Sequence, residues 1–132
     1  MPIDDALVGR TFPPTPAHEV TADSVATFAA AIGASDTATV PPTYPIVVTF
    51  AALEGFLAAE QFELSRIVHG DQKFSYHRPV VVGDELTATL RVKGVRSIGG
   101  NDIISTASDI TDASGVVVCT STATILHRGG VA

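Results

Sequence analysis

The spacing of apolar side chains changes along this chain, and the change separates a helical first half from a stranded second half. In residues 20–33, Val25, Phe28, Ala29 and Ile32 recur at three- and four-residue intervals, which places them on one face of an amphipathic helix. Thr21 is positioned as its N-cap, Asp23 suits the positive end of the first turn, and Gly33 stands where a C-terminal stop belongs. Residues 34–45 hold small polar side chains and Pro41, Pro42 and Pro45, a composition that disfavours both helix and strand and predicts a loop. From residue 46 to about 61 the apolar residues run nearly all round the helical circumference, the pattern of a helix enclosed by protein.

After that helix the period falls to two. Residues 72–77 predict a strand with Tyr76 in the core and His77 on the opposite face, followed by a turn at Pro79 and Gly83-Asp84. Leu86, Ala88, Leu90 and Val92 alternate with Thr87, Thr89, Arg91 and Lys93, a strand with one face in the core and one in water. Gly99-Gly100-Asn101-Asp102 breaks the chain before a strand over 103–110, and Asp112-Ala113-Ser114-Gly115 reads as a hairpin turn. Residues 116–126 form a long β-branched strand, and 128–132 are expected to fray.

Composition narrows the function classes. The length of 132 residues fits one domain over 1–132, large enough to bury a core. A net charge of -6 argues against a nucleic-acid-binding face, which needs a basic surface. The single cysteine, Cys119, excludes an internal disulfide and fits a reducing compartment. The acidic start, Met1-Pro2-Ile3-Asp4-Asp5, lacks the pattern of a signal peptide. The longest apolar run, 46–59, contains Glu54 and falls short of the roughly 20 residues that span a bilayer. A cytoplasmic protein without a membrane span is expected. His18, His69, His77 and His127 offer no close metal-ligand pair, and there is no Gly-rich phosphate loop, dinucleotide fingerprint or nucleophile elbow. No cofactor and no metal are expected.

One very apolar helix and several antiparallel strands are mutually satisfied when the sheet curls around the helix, an α+β hot-dog fold. Phe28-Ala29-Ala30-Ala31-Ile32-Gly33, Pro41-Pro42-Thr43-Tyr44-Pro45, the block from His69 to Asp84, and Gly99-Gly100-Asn101-Asp102 carry a resemblance that runs the length of the chain. The chain resembles the N-terminal domain of MaoC-like acyl dehydratases, and in particular the A subunit of mycobacterial-type (R)-3-hydroxyacyl-carrier-protein dehydratases. The resemblance implies a sheet wrapped around one long helix, paired with a second copy or a related subunit into a double hot-dog dimer. It also places the seam between subunits at the 116–126 strand.

Dehydration of a 3-hydroxyacyl thioester requires a base at C2, an acid for the departing hydroxyl at C3 and a donor to the thioester oxygen. Active members of the resembled family place an Asp directly after the glycine that ends the first helix and a His five residues later. Here those positions are Ala34 and Thr39; a register using Asp36 puts Pro41 at the His position, and no histidine occurs between His18 and His69. The resemblance therefore implies a non-catalytic, acyl-chain-binding subunit whose related hot-dog partner carries the Asp/His pair, with an acyl-CoA or acyl-carrier-protein thioester as ligand. Two other readings stay open: a self-sufficient homodimeric dehydratase or thioesterase, and a non-enzymatic acyl-thioester-binding protein.

The candidate catalytic groups are Asp36, Glu54 and His69, and the candidate substrate-binding residues are Pro42, Thr43, Tyr44, His69 and Gln72. Asp36 is either an unusual acid or a turn former. Glu54 is either a catalytic carboxylate on the apolar helix, as in hot-dog thioesterases of another branch, or a solvent-facing residue at a seam. His69 and Gln72 fall where a loop enters the first central strand, to meet a thioester or to cap backbone groups. Pro42, Thr43 and Tyr44 either shape an acyl tunnel, with helix-start amides available to an oxyanion, or form a rigid turn. Tyr76, His77 and Arg78 offer a phosphate site or a structural corner.

Overall fold

The computed structural model describes residues 7–129. In chain order the elements are β1 (His18–Glu19), α1 (Ala22–Ala31), α2 (Ile46–Ala59), a 3-10 turn (Leu64–Arg66), β2 (Ile67–Tyr76), β3 (Glu85–Ile98), β4 (Asn101–Thr111) and β5 (Val117–His127). The strands form one antiparallel sheet in the order β1-β3-β4-β5-β2, curled so that α2 packs with its inner face. This is the hot-dog arrangement.

The ends of α1 follow from local chemistry. The Ser24 amide donates to Thr21 Oγ1 at 3.0 Å, closing the N-terminus. At the other end Gly33 adopts φ +78, its amide donates to the Ala30 carbonyl, and the Ala34 amide donates to the Ala29 carbonyl. That double closure is the Schellman motif, and its left-handed residue is the reason for a glycine there. Val25 and Ala29 are buried and Phe28 packs against the core, but Ile32, expected on the same face, is half exposed. The β3–β4 hairpin turns on Gly99 and Gly100, both with positive φ, as a tight two-residue connection requires. Strand β4 begins at Asn101, two residues earlier than expected.

Three expectations are corrected by the tertiary arrangement. Helix α2 is not enclosed: Val48, Ala52, Leu53, Phe56 and Leu57 are buried, whereas Phe50, Ala51, Glu54 and Ala58 are exposed. One sheet covers one side of the helix, and among the described residues nothing covers the other. The long C-terminal strand is not an edge, because β5 is hydrogen-bonded along its length to β4 on one side and β2 on the other. The long edge strand is β2, the two-residue β1 lying at the other edge, and Asp71 and Lys73 of β2 supply charges that discourage indiscriminate strand pairing. Tyr76 is 38% exposed rather than a core residue, since it lies at the end of that edge strand.

Near the C-terminus, Arg128 donates its backbone amide to Arg66 and its guanidinium to the Ser65 carbonyl, and the Gly129 amide donates to Asn101 Oδ1. These tethers hold Arg128 and Gly129, the first two residues of the stretch expected to fray, and residues 130–132 lie outside the described residues. The acidic start at residues 1–5 lies outside the described residues, and no helix among them is long and apolar enough to cross a membrane.

Candidate functional site

The site is built on a break in the alternation of β2. His69 pairs with Ile125 and Asp71 with Thr124, so Gly70 forms a bulge that advances the register by one residue. Residues 69 and 72 would face opposite ways in a regular strand; the bulge turns both His69 and Gln72 toward α2. A side chain at Gly70 would bring its first carbon within 3.2 Å of the Thr124 carbonyl oxygen, which favours glycine at the bulge. His69 and Gln72 thus lie within an edge strand, not at a loop-to-strand junction of a central one.

Between the first half of α2 and the sheet they help line a narrow crevice with Thr49, Thr106, Ser108 and Ser121. The Gln72 side-chain amide donates to Ser121 Oγ, and the Thr106 hydroxyl donates to the Ala123 carbonyl at 3.3 Å. Phe50 stacks on the His69 imidazole at the mouth, with ring centroids 6.3 Å apart and planes inclined by 15°. Phe50 and the three inward hydroxyl residues of β4 and β5 were missed from sequence. A signal was present, because Thr106 and Ser108 occupy the same inward alternation as Ile104 and Ile110.

The loop before α2 gathers different candidates. Asp36 accepts the Thr39 hydroxyl at 2.6 Å and the backbone amides of Ala38 and Thr39. These bonds, the Thr39 hydroxyl first, hold its carboxyl below the usual carboxylate range. It closes an Asx turn, and Thr39, at the family's His position, serves that turn. Tyr44 is fully buried: its hydroxyl lies 2.8 Å from His18 Nε2 and 2.6 Å from Ser24 Oγ, and its ring meets Phe28 edge-on. Thr43 is exposed, and the Pro42 carbonyl accepts the Tyr76 hydroxyl. The amides at the start of α2 are not free for an oxyanion, because those of Ile46, Val47 and Val48 donate to the carbonyls of Thr43, Tyr44 and Pro45.

Tyr76, His77 and Arg78 line an open groove of about 430 Å³ together with Val40, Pro41 and Pro42. Burial of its phenol, with Cys119 nearby, pushes the Tyr76 pKa up to about 12, so it stays a neutral donor to Pro42. Arg78 is committed elsewhere. It grips Asp84 with two hydrogen bonds of 2.9 and 3.0 Å and reaches Asp112 at 3.2 Å. Those bonds hold both carboxyls below their ordinary value and tie the 81–84 turn to the β4–β5 hairpin. A phosphate there would have to displace two carboxylates.

The exposed face of α2 carries the remaining candidate. Glu54 lines an open groove of about 630 Å³ with Ile46, Val47, Phe50 and Ala51, and Val47 continues it into a second groove against Phe28 and Ala31 of α1. Phe50 therefore belongs both to this outer groove and to the mouth of the inner crevice, linking Glu54's surroundings to His69 and Gln72. Asp36 and Tyr44 line neither.

With this geometry in place, comparison with known proteins is informative. The FAS1-like, dehydratase domain region family matches residues 6–121. A UPF0336 protein of Streptomyces griseus is 39% identical over 97% of both chains. Among solved structures, the HadBC (3R-hydroxyacyl-ACP dehydratase) complex of Mycobacterium tuberculosis shares the fold with a TM-score of 0.76 at 23% identity, covering 96% of this chain and 99% of its own. The (R)-hydratase from A. caviae, involved in PHA biosynthesis, gives a TM-score of 0.62 at 24% identity over 89% of this chain and 94% of its own. The fold is that of the MaoC-like hot-dog dehydratases and hydratases, and the chain belongs to the FAS1-like dehydratase domain region family together with the UPF0336 proteins.

Proposed function

We propose that this chain is the acyl-binding subunit of an (R)-specific 3-hydroxyacyl-thioester dehydratase, acting in reverse as an enoyl-thioester hydratase, and that a related hot-dog subunit supplies the Asp and His. The observation that carries this reading is the combination of a dehydratase fold with Ala34 and Thr39 at the two acid-base positions. Ala34 closes the Schellman motif of α1 and Thr39 closes the Asp36 turn, so both positions are occupied by structural roles. The uncovered apolar face of α2 and the free edge of β2 fit a partner of the same fold, joined edge to edge with its helix beside α2. The name of the M. tuberculosis complex, two chains in one dehydratase, supports a divided enzyme.

In hydration, water adds to C3 of the enoyl thioester and a proton is delivered to C2; dehydration reverses both steps. Under this proposal the partner moves those protons, and His69, Gln72 and Phe50 hold the acyl group beside the seam. The thioester is carried by coenzyme A or an acyl carrier protein, in a cytoplasmic setting. The test is the loss of conjugated-thioester absorbance when a trans-2-enoyl-coenzyme A is mixed with the purified chain, alone and with an Asp/His-bearing homologue. The chain alone is expected to be inactive, and the mixture to exceed the homologue alone. Turnover by the chain alone at the rate of a complete enzyme rejects the proposal.

The position of Glu54 beside Phe50 in the outer groove favours one other reading, a homodimeric thioesterase with Glu54 as its carboxylate. In that case Glu54→Gln abolishes thioester hydrolysis; unchanged hydrolysis rejects it.

A further inference from the structure

Beyond its bulge, β2 carries two opposite charges two residues apart. From Asp71 to Tyr76 each residue pairs in sequence with β5, Asp71 with Thr124 and Tyr76 with Cys119, so side chains alternate regularly over this stretch. Asp71 and Lys73 share the outer face of the sheet and are exposed. Gln72, between them, turns inward to the crevice that also holds Phe50 and His69. Neither Asp71 nor Lys73 has an ion-pair partner among the described residues.

Such an edge meets a second copy of itself in a limited set of registers. Residues directly opposite in an antiparallel pair project from the same face, so a two-fold axis within a regular stretch passes beside a residue and not between two. Centring the pair on Asp71 sets two carboxylates opposite each other, and centring it on Lys73 sets two ammoniums opposite each other; both are unfavourable. Centring on Gln72 sets each Asp71 opposite Lys73 of the second copy, and symmetry makes the contact twice. Centring on Phe74 puts Lys73 opposite Ser75 and separates the two charges.

The helix gives an independent reason for the same register. An axis beside Gln72 runs past the mouth of the crevice, where Phe50 stacks on His69. It therefore brings the open groove of Ile46, Val47, Phe50 and Ala51 on one α2 toward that of the other, covering apolar surface that a single chain leaves in water.

We propose that Asp71 and Lys73 are a charge code that selects a second copy of this chain for β2 and fixes the register, with Gln72 opposite Gln72 and two Asp71–Lys73 ion pairs across the seam. The inference goes beyond the function proposed above. Self-pairing is the form the chain takes without its Asp/His-bearing homologue, which must displace one copy to reach the same edge.

The test is sedimentation of the full chain with its charges reversed. The unsubstituted chain is expected to be a dimer. Asp71→Lys and Lys73→Asp should each weaken self-association by about tenfold or more, because by symmetry each substitution turns both attractive contacts into repulsive ones. Mixing the two variants should restore a dimer, since every lysine then faces an aspartate, and the double variant Asp71→Lys with Lys73→Asp should again pair with itself. Recovery in the mixture also shows that both single variants are folded. Single variants that dimerise as well as the unsubstituted chain overturn the charge code. A monomeric unsubstituted chain overturns self-pairing, and if that monomer still raises enoyl-coenzyme A hydration by an Asp/His-bearing homologue, the proposed function stands without it.

Discussion

The two ends of the α2–sheet interface are built on opposite principles. Toward the C-terminus of α2, Phe56 is fully buried and meets Phe12 at 5.0 Å and Phe62 at 5.7 Å, both edge-on, and Phe62 stacks on His127. This end is packed by aromatic rings. Toward the N-terminus, Thr49 faces Thr106, Ser108 and Ser121 across a narrow void, closed at its mouth by a half-exposed Phe50. A single apolar helix thus meets the sheet through aromatic packing at one end and through hydroxyl side chains beside a half-exposed ring at the other.

Substitutions at the two ends should have different consequences, and the largest falls at the anchored one. Phe56→Ala removes a fully buried ring from three-way aromatic packing and is expected to cost about 3–5 kcal/mol in denaturant unfolding. A loss below about 1 kcal/mol means that this end is not the anchor. At the N-terminal end of α2, Phe50→Glu is expected to change the stability of the isolated chain by no more than about 0.5 kcal/mol, because the ring is half exposed. Under the proposed function the same substitution should weaken association with an Asp/His-bearing homologue by about tenfold or more, measured by sedimentation, since it puts a charge in the face assigned to the seam. Unaltered association would place the partner elsewhere.

The smallest effect concerns neither end and serves as a reference. Asp84 and Asp112 have carboxyls lowered from 3.8 by Arg78, so their pairing stabilises the fold above that value and is lost as pH falls through the lowered folded-state values. Thermal midpoints should therefore drop in acid below about pH 4, and Arg78→Gln should flatten that drop. An identical acid profile in the variant would remove Arg78 as its source.

What the sequence made legible was local. Thr21, Gly33 and the Gly99-Gly100 turn act within a few residues of themselves, and the structure uses each of them as the element they terminate requires. The alternation of Leu86, Ala88, Leu90 and Val92 carried over directly, because β3 keeps its register over that stretch. The site was less legible because it depends on relations across the chain. The bulge at Gly70 reverses the facing of every later residue of β2 relative to His69, and no periodicity before the bulge announces it. The free edge lies on β2 because β5 is taken up on both sides, a matter of strand order rather than of strand length. Uniform apolarity in α2 also gave no sign of which face the sheet would leave uncovered. An apolar circumference is the same whether a helix is enclosed by its own chain or leaves one apolar face outside it.

The central claim is that this chain holds the acyl group and performs none of the acid-base chemistry. It is tested most directly by enoyl-coenzyme A hydration in the reconstituted complex, with the partner's Asp changed to Asn and its His to Ala. The account predicts that activity disappears while the complex stays assembled and still binds acyl-coenzyme A. Hydration persisting at the rate of the unsubstituted complex would contradict it, and would place the acid and base within this chain.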